Sequence, residues 1–482
     1  MTSTVLARPP LTDDRSFQLL KKYVITATGL VYYATRDNEF AGYLQQRLKD
    51  RCLKDCYSYL ELLRSGSEGD VELDCLIEKL TIGETFFFRH RELFDSLQRK
   101  VIPDLLIRNA GHRRLRIWSA GSSIGAEAYS VSILLRRHFA EQLRGWDVSI
   151  VGTDINRDFL ARASTGVFEE WALRTMSDAE RDEYFTLHNK RWSIKPHFRE
   201  GVSFQYHNLA LHPYPSVIHN LCAFDIILCR NVIIYFSQDL IRTTVRKFHE
   251  CLIDGGWLLT GHAEHNADVF GEFRRVNSEG ATVYQRIDNP VVTTALPVTP
   301  DRPWVSPLPA PVVPAWPDTE RVTVPDLVST SDRRTRHHDH SPNNSAENSH
   351  PVLQLTEIRH MADRGDLERA SAECERLLTV NELNPACHFY QALILAQKGQ
   401  HEQVKHALRR AIYLDRSCVM AHYYLGVTLQ RLRQPGPAAR SLRNVLDLLS
   451  HRDPDQVVDD FDGLSATELS QLTRRQLDTI EL

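Results

Sequence analysis

The stretch LRIWSAGSSIGAEAYSVSILL, residues 115–135, changes its pattern in the middle. Its first six residues form a short, largely apolar run, which is typical of a buried strand, and the residues after Gly125 have the apolar spacing of a helix. A strand that turns through glycines into a helix lets backbone amides and a helix N-terminus approach a cofactor. Gly121 and Gly125 do not form GxGxxG, and a tight turn needs glycine anyway. This stretch alone therefore leaves a cofactor site and a plain turn equally open.

Alternating strand and helix patterns continue over residues 114–288, with strand-like runs DVSIVGTD, FDIILCRN, GGWLLTGH and ATVYQRI. This alternation predicts an α/β domain with a doubly wound, Rossmann-like parallel sheet and a ligand site at the carboxyl ends of its strands. Residues 165–207 interrupt the rhythm. We expect a helical segment there, followed by a short antiparallel excursion, RWSIKP and VSFQYH, that forms a small β-subdomain at about 187–207.

Two of the predicted strands end in polar residues, where such a ligand site would lie. Asp154 ends VSIVGTD, and a carboxylate there can accept hydrogen bonds from a ribose diol. Alternatively, Asp154 caps the following helix. Arg230 and Asn231 follow the strand FDIILC, near Tyr235, and Asn231 is either a turn former or part of the reacting site. Nicotinamide enzymes and S-adenosylmethionine enzymes share these features, so the cofactor stays open at this point.

Residues 11–80 have leucine and aromatic residues three and four apart, which predicts a separate N-terminal helical domain. On one of its helices Arg47, Lys49, Arg51 and Lys54 form a basic cluster. The cluster is either a solvated helix face or a docking surface for an acidic partner.

The C-terminal third repeats with a 34-residue period, in which Gly365 recurs as Gly399. Such a period, with small residues where paired helices meet, resembles tetratricopeptide repeats, an α-solenoid. We expect three repeats across 352–452, the third degenerate because Arg433 stands at the glycine position. Stacked helix pairs present a concave face, which predicts a protein or peptide partner.

Two segments flank the repeats. Residues 289–351 hold 12 of the 22 prolines and cannot bury much apolar surface, so we expect a disordered linker. Residues 453–482 are expected to form a C-terminal tail.

The composition favours a globular protein with small-molecule or protein partners. A net charge of -4 gives no sign of nucleic-acid binding. No secretion signal or long apolar run is present, so we predict a cytoplasmic protein without membrane insertion. The nine cysteines show no CxxC or clustered-His spacing, which predicts buried reduced thiols and no metal site.

Six motifs occur in a fixed order: GETFFFRHRELF, WSAGSSIGAEAYS, GTDINRDFL, YHNL, DIILCRNVIIYF and GHAE. Together, over about residues 12–287, they resemble the CheR family of chemotaxis receptor methyltransferases, some members of which carry tetratricopeptide repeats after a proline-rich linker. The resemblance implies transfer of a methyl group from S-adenosyl-L-methionine to glutamate side chains on the acidic cytoplasmic helices of a chemoreceptor. The product is a glutamate methyl ester, made during chemosensory signal transduction.

The resemblance also implies which residues contact the cofactor. Asp154 binds the ribose, and Asn208 with Leu209 lies beside the adenine. The full implied set is Thr85, Arg89, Gly121, Glu127, Asp154, Asn208, Leu209, Arg230 and Asn231.

At the methyl-transfer end, the resemblance places Asn231 and Tyr235, and Arg89 and Tyr235 are expected to orient the incoming carboxylate. One ring of Phe86–Phe88 should close over the cationic sulfur, since aromatic faces attract cations. The other rings should pack between the N-terminal helices and the sheet.

The sequence departs from the family at two motifs. Gly83 stands where the family often has Asn, and GAEAYS replaces GEEPYS, so one polar contact from each motif is unaccounted for. The short β-subdomain favours a receptor recognised without a tethering peptide. Two alternatives stay open: a methyltransferase for a small acid or a non-receptor protein, and an inactive scaffold that binds through its repeats.

Overall fold

The computed structural model describes residues 10–261, 264, 268–278, 281–288, 351–453, 458 and 466–481. The predicted linker, 289–351, lies outside the described residues except for Pro351, which begins a helix. No helix in these ranges combines the length and the apolar character that a membrane crossing needs.

The N-terminal domain is helical, as predicted. Apolar residues three and four apart, such as Phe40 and Leu44, are fully buried and form its core with Phe17 and Tyr59. Asp55 caps the third helix, its carboxylate accepting a hydrogen bond from the Ser58 amide at 2.8 Å. The helices are α1 (Phe17–Thr28), α2 (Asp37–Asp50), α3 (Cys56–Leu63) and α4 (Ser67–Leu80).

The basic cluster does not lie wholly on one helix, because α2 ends at Asp50 and leaves Arg51 and Lys54 beyond it, and the cluster is partly internal to the fold. Arg47 donates two hydrogen bonds to Glu72 of α4, at 2.9 and 2.8 Å, and only 2% of Glu72 is exposed. Arg51 pairs with Glu68 and also lies near Glu72. These carboxylates already compensate the charges of Arg47 and Arg51, so the two arginines connect α2 to α4. Neither arginine is therefore available to bind an acidic partner, as the docking hypothesis required.

An α/β domain follows, in which strands and helices alternate. In chain order its elements are α5 (Arg91–Ser96), α6 (Ile102–Arg108), β1 (Arg114–Ala120), α7 (Ala126–His138), β2 (Asp147–Asp154), α8 (Arg157–Thr165), β3 (Val167–Phe168), α9 (Asp178–Tyr184), β4 (Phe185–His188), β5 (Arg191–Ile194), α10 (Pro196–Arg199), β6 (Val202–Tyr206), β7 (Phe224–Cys229), α11 (Gln238–Cys251), β8 (Leu252–Thr260), β9 (Phe273–Ser278) and β10 (Ala281–Arg286).

Seven strands form the main sheet, in the order β6-β2-β1-β7-β8-β10-β9. The first five in that order run parallel, and β10 and β9 are antiparallel at the far edge. Ile117 and Leu228 face one apolar layer while Trp118 and Ile227 face the other, so the central strands are buried on both sides. The predicted Rossmann-like sheet is confirmed, and its carboxyl edge is where the motif residues collect.

The expected β-subdomain at 187–207 was wrong in its extent. The small antiparallel sheet has the order β3-β5-β4 and contains RWSI, but VSFQY forms β6, which pairs in parallel with β2. The physical reason is the long connection between β2 and β6, which contains α8 and the small sheet. A connection of this length lets the chain cross over and place β6 parallel to β2 at the edge of the main sheet. The parallel prediction was also wrong for ATVYQRI, which is the antiparallel strand β10, and β9 was missed.

The C-terminal domain consists of three helix pairs and a final helix, which confirms the repeat fold. Gly365, Gly399 and Arg433, spaced by the 34-residue period, lie in the three intra-pair turns with φ of 79, 70 and 55°. Arg433 therefore keeps the left-handed turn that glycine forms in the other two repeats. The helices are α12 (Pro351–Asp363), α13 (Leu367–Val380), α14 (Pro385–Gln397), α15 (His401–Leu414), α16 (Val419–Arg431), α17 (Pro435–Ser450) and α18 (Ala466–Glu481).

The expected tail is partly helical, since α18 packs its Leu477 against Ala439 and Leu442 of α17. All nine cysteines are free thiols, as predicted, and burial holds for most of them. Cys75 and Cys418 are only partly buried, and Cys52 lies exposed after the end of α2.

The repeats pack against the main sheet, at the amino ends of its parallel strands, through residues 216–223, which we call the docking segment. Its Val217 amide donates a 2.6 Å hydrogen bond to the Asp363 carboxylate at the end of α12. Four of its side chains are buried in one apolar cluster with the repeats, namely Val217, Ile218, Cys222 and Ala223. The two domains thus share a hydrophobic core.

Polar contacts extend this junction. The Asn220 side chain accepts hydrogen bonds from Gln397 of α14 at 3.1 Å and from Arg116 of β1 at 2.9 Å. Asp147, at the start of β2, lies 3.5 Å from His401 of α15. Each repeat contact thus comes from the end of the first helix in a pair or from the start of the second.

Candidate active site

All ten residues singled out in the sequence line one pocket at the carboxyl edge of the sheet: Thr85, Arg89, Gly121, Glu127, Asp154, Asn208, Leu209, Arg230, Asn231 and Tyr235. The pocket encloses a void of about 1120 Å³, with solvent at its mouth included. Its lining combines charged, polar and aromatic side chains, which is typical of a site for a polar small molecule.

The turn after β1 is held against the end of β2. The amides of Gly121 and Ser122 both donate to the Thr153 carbonyl at 2.8 Å. Gly121 has φ of 76°, and a Cβ there would lie 2.2 Å from a methyl carbon of Val232. Glycine suits this position because of its positive φ and because the Val232 side chain leaves no room for a Cβ.

Asp154, the last residue of β2, lies in the floor of the pocket. Its carboxylate accepts hydrogen bonds from the Ser123 amide at 2.8 Å and the Asn156 amide at 2.9 Å. Burial raises the pKa of Asp154 to about 6. The capping alternative for Asp154 is wrong, because Asn156 caps α8 through a 3.0 Å hydrogen bond from the Phe159 amide. Asp154 is thus available to a ligand.

Glu127, in the first turn of α7, is held by two partners. Its carboxylate accepts hydrogen bonds from the Ser119 hydroxyl at 2.7 Å and from Arg230 at 3.0 Å. Arg230 also donates to the Arg89 carbonyl at 2.7 Å and lies 2.7 Å from the His90 Nδ1. Buried Arg230 therefore joins the end of β7, α7 and the loop before α5.

Asn231 follows Arg230 with φ of 58°, an uncommon conformation for a residue other than glycine. The Glu264 carboxylate holds this turn, accepting hydrogen bonds from the amides of Gly261 at 2.6 Å and Val232 at 2.9 Å. The Asn231 side-chain oxygen is buried and has no hydrogen-bond partner among the described residues. A strained turn with an unused acceptor is a feature typical of a ligand contact.

The three phenylalanines have different surroundings. Phe87 is fully buried against Phe168 and Phe185 of the small sheet, and Phe88 packs on Phe94. These two rings therefore pack within the α/β domain, whereas we expected them between the N-terminal helices and the sheet. Phe86 alone lines the pocket.

Arg89 reaches the same pocket wall as Phe86. One Nη donates to the Glu84 carbonyl at 2.8 Å, and the buried Nε has no hydrogen-bond partner in the part of the chain that the structure describes. The Arg89 guanidinium lies 5.6 Å from the Phe86 ring centre, and that of Arg174 lies 3.8 Å from it. Arg89 thus brings a positive charge to the pocket.

The N-terminal domain supplies a wall that the sequence motifs did not predict. Leu30, Tyr32 and Tyr33 line the pocket, and Tyr32 meets Tyr235 edge to face at 5.8 Å. Adjacent aromatic residues after a glycine, in TGLVYYA, are the one local signal that pointed to them.

Asn208 joins the two domains. Its side-chain amide donates to the Ala27 carbonyl at 2.7 Å and accepts from the Ala210 amide at 2.9 Å. Asn208 and Leu209 form part of the wall, but the Asn208 side chain is already used in the fold.

Gly83 is explained by its neighbour Phe159, another pocket residue. A Cβ at Gly83 would lie 2.6 Å from the tip of the Phe159 ring. An asparagine at this position would displace that ring, so the glycine and the ring belong together in this chain.

Comparison with known proteins agrees with this geometry. Residues 83–281 match the model of the CheR methyltransferase, SAM binding domain. Chemotaxis protein methyltransferase 1 of Pseudomonas aeruginosa is 30% identical over 277 residues, which are 56% of this chain and 98% of that protein. The chemotaxis protein methyltransferase of Listeria monocytogenes is 32% identical over 231 residues, which are 47% of this chain and 84% of that protein.

Among solved structures, the chain is similar to the Sgt2 TPR domain from Aspergillus fumigatus. The two are 16% identical with a TM-score of 0.23, covering 29% of this chain and 87% of that one.

The relatives are matched over most of their length, and the family-model match, 83–281, contains the ten motif residues that line the pocket. The pocket belongs to an S-adenosylmethionine-dependent methyltransferase domain. The chain therefore belongs to the CheR family of chemotaxis protein methyltransferases.

Proposed function

We propose that the chain methylates glutamate side chains in the cytoplasmic helices of a chemoreceptor and so forms glutamate methyl esters. The observation that supports this substrate class is Arg89. It lines the cofactor pocket, and no carboxylate lies within 4.0 Å of its guanidinium in the described ranges. A methyl acceptor that is itself a carboxylate supplies the missing anion.

The polar groups of the pocket fit S-adenosylmethionine. Asp154 suits the ribose diol, and Glu127 suits the ammonium group. The unused acceptor of Asn231 suits a donor on the same ligand. The rings of Phe86 and Tyr235 line the pocket as well, and aromatic faces attract a sulfonium cation by ~0.5–2 kcal/mol.

The other predicted cofactor residues take supporting roles in this proposal. Arg230 acts as a positioning residue, because its hydrogen bonds go to Glu127 and to the Arg89 carbonyl. Gly121 permits the close turn, and Leu209 is an apolar wall beside the adenine. Thr85 is 9% exposed and lines the pocket, and we place its hydroxyl toward the cofactor.

The chemistry requires orientation more than proton transfer. Bound S-adenosylmethionine supplies a methyl group on a sulfonium sulfur, and a carboxylate oxygen takes this group as the carbon–sulfur bond breaks. A glutamate is ionised at neutral pH, so no general base is needed. Arg89 binds one carboxylate oxygen and leaves the other free to react. Burial raises the pKa of Tyr235, so its phenol stays protonated and donates to the same carboxylate.

The experiment is incubation of the full chain with methyl-labelled S-adenosylmethionine and purified receptor cytoplasmic fragments, with a panel of small carboxylic acids in parallel. We expect label on the receptor fragment that mild alkali releases as methanol. Label that withstands alkali would exclude a carboxyl methyl ester, and labelling of the small acids alone would contradict a receptor substrate. A receptor fragment with Gln in place of its Glu residues is the matched control and should stay unlabelled.

A further inference from the structure

The repeats have one edge that is closed to outside partners. Asp363, Gln397 and His401 mark where the first helix of a pair turns into the second, and all three contact the catalytic domain. The docking segment fills this edge with apolar side chains. A partner of the repeats must therefore use a different face.

A groove lies on such a face, between α15, α16 and α17. It encloses a void of about 990 Å³, open solvent included. Its lining includes an apolar set, Ile412, Leu425 and Leu429, together with polar and charged side chains. The charged side chains are Arg409, Arg440 and Arg443, all exposed. All lining residues come from the repeats, none from the catalytic domain.

The groove lies in a region of concentrated positive charge. Residues 401–450 hold eight Lys and Arg against three Asp and Glu, a net charge of +5 in a chain whose total is -4. Arg410 and Lys405 of α15 pair with Glu382 and Glu402. Within the described residues, by contrast, Arg409 and Arg440 have no carboxylate within 4.0 Å. The groove thus offers two arginines, Arg409 and Arg440, that form no close ion pair within the described residues.

A buried polar atom also belongs to the groove. His422 lines it and is 8% exposed, and its Nδ1 has no hydrogen-bond partner in the described ranges. Its Nε2 lies 3.2 Å from the Arg416 carbonyl, so that nitrogen carries the proton and Nδ1 is an acceptor. A buried acceptor without a donor is costly unless a ligand satisfies it.

We propose that this groove binds an acidic, amphipathic segment of a protein partner. Carboxylates of the partner pair with Arg409 and Arg440, its apolar side chains cover Ile412 and Leu425, and a hydroxyl or amide donor reaches His422. The proposal concerns binding alone, and it stands whether or not the methyl acceptor is a receptor glutamate.

The test is fluorescence anisotropy with the full chain and a short labelled amphipathic peptide of glutamate and leucine. A peptide of the same length with lysine in place of glutamate is the probe control. We expect the acidic peptide to bind, to weaken as salt rises and to outcompete the lysine peptide. Equal binding of both peptides, or no binding of the acidic one, would overturn the proposal.

Matched variants locate the site. The double variant R409Q/R440Q should weaken the acidic peptide by about tenfold, since each exposed pair contributes up to ~1 kcal/mol. The control R410Q/R433Q removes the same charge from the same repeats but outside the groove lining, and should change affinity by less than about twofold. If both variants lose affinity equally, the binding is non-specific and the groove is not the site. The variant H422F removes the Nδ1 acceptor and should weaken binding of the acidic peptide. It also removes the hydrogen bond to the Arg416 carbonyl, so its unfolding temperature is measured in parallel, and unchanged peptide affinity in the folded variant would contradict the role of His422.

Discussion

The arginines of α2 and the arginine of the pocket carry the same charge but differ in how it is compensated. Arg47 is tied to the buried Glu72 by two hydrogen bonds, and Arg51 lies near the same carboxylate. Arg89 has only a carbonyl as its hydrogen-bond acceptor among the described residues. An arginine whose charge is neutralised inside the fold contributes to stability, and one left uncompensated in a pocket is available to a ligand.

The largest expected effect is on the compensated side. The variant Arg47→Ala removes the main partner of Glu72, which stays buried with a hydrogen bond from the Tyr59 hydroxyl at 2.6 Å. We expect the free energy of unfolding to fall by about 3 kcal/mol, because the buried Glu72 loses both guanidinium hydrogen bonds and keeps only Arg51, 3.5 Å away, as a counter-charge. Urea denaturation measures this. Lys49→Ala on the same helix, an exposed residue, should cost less than about 0.5 kcal/mol, and equal losses in the two variants would remove the distinction.

On the uncompensated side, Arg89→Gln should lower kcat/KM for receptor methylation by about a hundredfold, since a charge-assisted hydrogen bond contributes ~1.5–3 kcal/mol. The free energy of unfolding should change by less than about 0.5 kcal/mol. Initial-rate assays with labelled donor measure the first quantity and urea denaturation the second. Arg242→Gln, an exposed arginine of α11, is the matched control. A large loss of stability in Arg89→Gln would place this arginine with those of α2.

A carboxylate at the domain junction extends the comparison to the opposite charge. Asp363→Ala leaves the Val217 amide without its 2.6 Å acceptor, and we expect a loss of ~1–3 kcal/mol in the free energy of unfolding. Asp366→Ala, which removes a partly exposed partner of Arg369, should cost less than about 1 kcal/mol. Denaturation of the full chain, followed with probes in the repeats and in the sheet, measures both losses. Equal losses in the two variants would show that the hydrogen bond at the junction does not contribute to stability.

The smallest effect concerns Asp154 and pH. Burial raises its pKa from 3.8 to about 6, so the carboxylate that accepts from the ribose becomes protonated below about pH 6. Affinity for S-adenosylmethionine should therefore fall about fivefold between pH 6 and pH 5, as titration calorimetry would measure. Asp154→Asn should bind weakly and without this pH dependence, and a wild-type affinity that is flat over this range would contradict the assignment.

The stability of the chain should move in the opposite direction through the same group. A folded-state pKa above the unfolded value of 3.8 means that the folded chain holds the proton more tightly. The contribution of Asp154 to stability is thus present below about pH 4 and is lost as the pH rises through about 6. Comparison of thermal unfolding of the wild type with Asp154→Asn isolates this term.

The motif residues could be expected to lie close together because several of them follow strand ends. Once the central strands run parallel, the residues after them must meet at one edge, which is why Asp154 and Asn231 line the same pocket. The sequence of the glycine turn did not distinguish a cofactor site from a plain turn. Its conformation depends on contacts with Thr153 and Val232, which are distant in the sequence.

Other features depend on contacts between residues far apart in the sequence. The local pattern of VSFQY says that it is a strand but not which strand it joins, so β6 was placed wrongly. The compensation of Arg47 by Glu72 spans 25 residues, and no helix-periodic pattern encodes it. Tyr32 reaches the pocket only because two domains pack together.

The strand β1 extends from the junction with the repeats to the pocket. Arg116, near its start, touches the docking segment, and Gly121, just after its end, lines the pocket. At ~3.3 Å per residue this separation is about 15–20 Å of rigid backbone. A protein held by the repeats and a methyl acceptor at the pocket can hence be bound at the same time in one ternary complex. Such a partner would raise the local concentration, near the pocket, of any methyl acceptor to which it is bound. In steady-state kinetics the partner would not compete with the acceptor.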